Sequence, residues 1–62
     1  MKYSRVEKTL KENGWVMERM KGGHAQFRND SGGSTTVPYN GNKDIPIGTL
    51  KAIEKQTGVS II

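Results

Sequence analysis

One imidazole, His24, stands in the run Lys21-Gly22-Gly23-His24-Ala25-Gln26-Phe27, where a glycine pair opens onto strand-forming residues. Histidine is the side chain whose ordinary pKa, about 6.5, lets it take and release protons near neutral pH. Arg19, Lys21 and Arg28 surround it in sequence. A base among cations suits acid–base work on a polyanion, and RNA is the polyanion such a group can cut. When a base deprotonates the 2′-hydroxyl, that oxygen attacks the adjacent phosphate without help from a metal. Catalysis of this kind contributes about 10²- to 10⁴-fold. Gly22 and Gly23 let an RNA backbone come close and offer backbone N–H donors to phosphate. Lys21, Arg19 and Arg28 carry positive charge toward a phosphorane-like transition state. The same spacing also fits a surface histidine with no duty, and sequence spacing alone does not separate the two.

The chain has 62 residues, enough for a single domain over 1–62. A domain of this size buries only about 60% of its unfolded surface, so its core must be small. Cysteine is absent and histidine occurs once, which excludes disulfides and the usual zinc ligand sets. No cofactor or metal is therefore expected. Ten Lys/Arg against six Asp/Glu leave a net charge of +4. That balance favours nucleic acid or an acidic protein as partner, with solubility by charge as the plain alternative. No apolar run approaches the ~20 residues of a membrane span, and the N-terminal residues lack the apolar core of an export signal. A reducing cytoplasm is the expected compartment.

The elements that must position His24 follow from the hydrophobic pattern. Tyr3, Val6 and Leu10 recur at near-helical spacing, Ser4 and Glu7 read as a capping box, and Asn13-Gly14 reads as the stop. Residues 15–20 read as a strand with Trp15 and Met17 inward, since Glu18 on the alternate set is costly to bury. Trp15 is expected in the core. From His24 to about residue 29 the alternation is clear. Ala25 and Phe27 point one way, while His24, Gln26 and Arg28 point the other. With Phe27 in the core, His24 stands on the open face. A turn at 30–33 leads to a third strand over 34–37, limited by Pro38. A polar loop covers 39–44, and a second helix spans about 46–58 with Ile47, Leu50 and Ile53 as its apolar stripe. The expected architecture is α+β, in the order α-β-β-β-α, with a three-stranded antiparallel sheet and both helices on one face.

Four segments in this order resemble one known family. They are Gly14-Trp15; Arg19-x-Lys21-Gly22-x-His24-x-x-Phe27; Thr36-Val37-Pro38; and Pro46-x-Gly48-Thr49-Leu50-x-x-Ile53-x-Lys55-Gln56-x-Gly58. Together they are similar to the HicA (YcfA-like) toxins of bacterial toxin–antitoxin pairs. The resemblance implies a fold like the double-stranded-RNA-binding domain, a ribonuclease acting on mRNA, and silencing by a HicB-like antitoxin. It maps the catalytic histidine onto His24. Two positions depart from the family pattern. Gly23 stands where a serine or threonine is common, and Tyr39 where a second histidine often follows the Val-Pro pair. The competing expectation is a non-catalytic RNA-binding or antitoxin-docking module of the same fold, using Lys2, Arg5, Lys8, Lys51 and Lys55.

Overall fold

In the computed structural model, which describes residues 1–41 and 43–62, the first apolar stripe forms helix α1, Tyr3–Glu12. Asn42, inside the polar loop expected over 39–44, lies outside the described residues. Tyr3, Val6 and Leu10 are buried along one side of α1, as their spacing requires. The expected Ser4–Glu7 capping box does not form. Lys2 occupies the N-cap position, so Ser4 already lies within the first turn. The Glu7 carboxylate instead accepts from the Tyr3 hydroxyl at 3.0 Å and pairs with Lys11 at 3.7 Å. Burial, helped by the Glu7 contact, pushes the Tyr3 phenol up to about 12. Tyr3 is thus a neutral donor at physiological pH.

The stop at Asn13-Gly14 behaves as expected. Gly14 takes the left-handed conformation at φ 86, the Gly14 N–H donates to Lys11, and the Trp15 N–H donates back to Leu10. This pair of bonds satisfies two carbonyls left open at the helix end. It also turns the chain so that Trp15 enters the core, where it is 3% exposed.

Three antiparallel strands follow: β1, Val16–Lys21; β2, His24–Arg28; and β3, Ser34–Pro38, in the spatial order β1-β2-β3. Strand β2 alternates as the sequence requires, with Ala25 and Phe27 buried and His24 and Arg28 exposed. Strand β1 does not. Met17 pairs with Phe27 and Arg19 with Gln26, so Glu18 is an extra residue bulged from the ladder. The bulge inverts the expected facing of Met20, which pairs with Ala25 and joins Met17 on the inner side. Met17 faces inward as expected yet is 39% exposed, because β1 lies at the edge of the covered area.

The second helix, α2, spans Ile47–Thr57, with Pro46 just before its first turn and Gly58 closing it at φ 73. Leu50 and Ile53 are buried, whereas Ile47, expected in the same stripe, is exposed. Its place in the opening turn lets it splay away from the sheet. The Thr35 hydroxyl on the inner face of β3 donates to the Gln56 side chain at 2.7 Å and ties α2 to the sheet. Both helices share one core with Ala25, Phe27 and Val37, so they cover the same sheet face. The architecture is the expected α-β-β-β-α arrangement. Among the described residues no helix is long and apolar enough to cross a membrane.

After α2, Val59 and Ile61 turn back into the core. The Glu54 carboxylate holds this segment by accepting from the N–H groups of Ile61 at 2.6 Å and Ile62 at 2.9 Å. These two bonds, led by that from Ile62, hold the Glu54 carboxyl below its ordinary range. A lowered folded-state pKa means the contribution is complete above the ordinary glutamate value, about 4.3, and is lost as pH falls through the depressed one. Protection of the Ile61 and Ile62 amides, taken relative to the intrinsic exchange rate at each pH, is therefore expected to fall in acid before that of the sheet amides. Simultaneous release of sheet and tail would contradict this.

Candidate active site

The turn between β1 and β2 consists of Gly22 and Gly23 alone, at φ 56 and φ 78. A two-residue turn with both central residues left-handed matches the natural twist of paired strands, and glycine supplies it without steric cost. The turn fixes Lys21 directly opposite His24. From there the pleat sorts side chains by face. The outer face carries Lys21, His24 and Pro38 in one row, then Arg19, Gln26 and Thr36, then Val16, Arg28 and Ser34.

The Glu18 bulge is what brings the cations to this face. In an unbroken strand Arg19 and Lys21 would share the side of Met17 and point toward the helices. The extra residue shifts the alternation, and both emerge beside His24. Lys21 is its direct cross-strand neighbour. Arg19 is its diagonal neighbour, a relation that sets Cα atoms roughly 7–8 Å apart. His24, Arg19 and Lys21 are exposed. Among the described residues none of the three has a side-chain hydrogen bond or ion pair, so their polar atoms remain available.

Arg28 is placed differently. It faces the same way but lies four positions along β2 from His24, roughly 13 Å at about 3.3 Å per residue. Its guanidinium pairs with the Glu18 carboxylate at 3.0 Å, so its charge is already engaged. The sequence groups Arg28 with the other cations; the structure brings only Arg19 and Lys21 to His24. Glu18 is exposed, as its charge led the sequence reading to expect; what that reading did not supply is its pairing with Arg28 across β1 and β2. Between the two ends of the face, Thr36 donates to Gln26 at 3.1 Å across β2 and β3.

Tyr39, in the place where the resemblance expects a second histidine, directly follows Pro38, the last residue of β3. Its N–H donates to the Gly23 carbonyl at 2.7 Å, and its ring stands edge-on to Tyr3 with centroids 4.9 Å apart. The phenol body therefore buttresses the end of the hairpin. Gly23 departs from the expected serine or threonine for a backbone reason. A Cβ there would lie 3.2 Å from the Tyr39 carbonyl oxygen at a φ of 78. Gly23→Ser is expected to lower stability by about 1–2 kcal/mol, the usual penalty for a side chain in this conformation. Equilibrium urea unfolding of the two proteins measures it; an unchanged midpoint would show that the turn relaxes freely.

A shallow concavity of about 600 Å³ lies elsewhere, on the outer side of α1, lined by Ser4, Arg5, Lys8, Thr9 and Glu12. It faces away from the sheet and contributes nothing to the His24 face.

A family model described as "HicA toxin of bacterial toxin-antitoxin" matches residues 3–59, a span that includes both helices, all three strands and the hairpin turn. No match was found among curated proteins. On the strength of a match covering nearly its full length, the chain belongs to the HicA toxin family, the toxin half of a toxin–antitoxin pair whose partner is a HicB-type antitoxin.

Proposed function

We propose that this toxin is an endoribonuclease that cuts mRNA in the cytoplasm, with His24 as the general base. The observation that carries this reading is the row Lys21–His24, with Arg19 on the diagonal, on an exposed face beside a turn of two glycines. The neutral imidazole takes the proton of an RNA 2′-hydroxyl. The freed oxygen attacks the adjacent phosphorus, and the bond from phosphorus to the 5′-oxygen breaks. The departing oxygen takes a proton from water or from the Lys21 ammonium beside it. Lys21 and Arg19 offset the charge that builds on the phosphoryl oxygens. Gly22 and Gly23, lacking side chains, leave room for the phosphate to approach.

The test is incubation of a single-stranded RNA with the purified toxin in EDTA. Products ending in a 2′,3′-cyclic phosphate and a 5′-hydroxyl are expected. Intact RNA, or 3′-hydroxyl ends, would overturn the mechanism. The second reading, a binding module without catalysis, draws on one observation: among the described residues nothing hydrogen-bonds the His24 ring and fixes its tautomer. Under that reading the same experiment gives bound but uncut RNA.

Binding itself should be electrostatic. The +4 charge and the unpaired Arg19 and Lys21 predict RNA affinity that falls steeply with salt, as phosphate contacts release counterions. For two to four such contacts the slope of log affinity against log salt is roughly −1.4 to −2.8 on single strands. A flat response between 50 and 200 mM salt, about a Debye-length change from 14 to 7 Å, would remove the cationic face from recognition.

A further inference from the structure

Strand β1 differs from every other element in that all of its residues are exposed. It pairs with β2 on one side, and among the described residues no strand pairs with its other edge. Its inner face is only partly covered. Met17 and Met20 sit opposite Phe27 and Ala25, both fully buried, yet are themselves 39% and 41% exposed. The helices therefore cover β2 and β3 and reach β1 only at Met17, whose sulfur lies 3.8 Å from the Tyr3 hydroxyl of α1. At the hairpin, Lys21 and His24 exchange hydrogen bonds across the turn, so the next pair, Met20 and Ala25, is non-hydrogen-bonded. The N–H and C=O of Met20 consequently point outward, away from β2.

We propose that this outer edge of β1 receives an extended segment of the antitoxin, which adds to the sheet as a fourth strand. The segment alternates acidic and apolar residues. Its apolar side chains cover Met17 and Met20 and complete the inner face, while its carboxylates lie beside Arg19 and Lys21 on the outer face. Charge complementarity selects this occupant over a second copy of the toxin. A second β1 would bring another Arg19 and Lys21 to the same edge, and like charges across a strand pair are unfavourable.

The added strand would lie about 4.8 Å from β1 and roughly twice that from β2. Its carboxylates would engage the cations flanking His24 without the strand covering the imidazole. The proposal stands on the antitoxin partnership and the strand geometry, and is independent of whether the toxin cuts RNA.

Hydrogen–deuterium exchange of the toxin alone and in complex with its HicB-type antitoxin tests it. Exchange within Val16–Lys21 should slow at least tenfold in the complex, most at Met20. Met20→Pro removes the outward donor at an edge position where proline is tolerated, and should weaken the complex at least tenfold. Met20→Glu keeps the backbone, places a carboxylate against the apolar side, and should weaken binding comparably; it decides the matter if the proline variant does not fold. Unchanged exchange in β1, or parental antitoxin affinity of the glutamate variant, would overturn the proposal. So would a toxin dimer that already protects β1 before the antitoxin is added.

Discussion

Replacement of His24 by alanine is expected to reduce RNA cleavage by about 10²- to 10⁴-fold while leaving the protein folded. Cleavage fails because no other side chain here has an ordinary pKa near neutrality. Tyr3, the tyrosine whose hydroxyl is best held, is pushed further from that range by burial. The fold survives because His24 faces away from Ala25 and Phe27, so its loss opens no cavity. Among the described residues its ring also makes no hydrogen bond to lose. Surface changes of this kind usually stay within about ±0.5 kcal/mol. The check pairs a gel assay of RNA cleavage with circular dichroism and an unfolding midpoint. Growth arrest on induced expression should be lost in parallel. A variant that cuts RNA as fast as the parent would make the histidine a bystander.

Phe27→Ala should have the opposite profile. Phe27 is fully buried on β2, the middle strand of the sheet, and is the largest of the fully buried side chains. Truncating such a ring costs about 3–5 kcal/mol, from lost transfer energy and the cavity left behind. At about 0.05–0.15 kcal/mol per residue, a chain of 62 residues holds only about 3–9 kcal/mol in total. The variant is therefore expected to lose much or all of its cooperative unfolding transition, measured by urea titration at low temperature. A loss below about 1 kcal/mol would mean that the core readily repacks around the space. Activity should fall in proportion to the unfolded fraction, which distinguishes this variant from His24→Ala.

The part of the site that lies on β2 was legible in the sequence because alternation is strict there. Once Phe27 is inward, His24, Gln26 and Arg28 can only be outward. Trp15 in the core and the stop at Gly14 were legible for a similar reason, since local backbone chemistry decides them. Strand β1 was not legible in the same way. A bulge adds one residue without changing composition, and it reverses the facing of everything beyond it. Arg19, Met20 and Lys21 were thus readable as residue types and not as positions on a face. Arg28 shows a second limit: its facing followed from parity, but its engagement by Glu18 depended on the same bulge. The Ser4–Glu7 pattern failed at α1 because the helix starts two residues earlier, with the Lys2 carbonyl accepting from the Arg5 and Val6 N–H groups. Ile47 matched the helical period, yet a period says nothing about how far a helix end reaches over the sheet.

The alternation along β2 also bears on how such a toxin can diverge. Within five consecutive residues, Ala25 and Phe27 answer to folding, while His24, Gln26 and Arg28 answer to whatever meets the outer face. Substitutions at Gln26 or Arg28 change what the outer face presents without opening a cavity in the core beneath it. Two duplicated copies of this toxin could therefore drift toward separate partners in small steps, each copy remaining folded throughout. Insulation of one toxin–antitoxin pair from a sibling pair in the same cell is then a matter of outward-facing residues on a shared, unaltered scaffold.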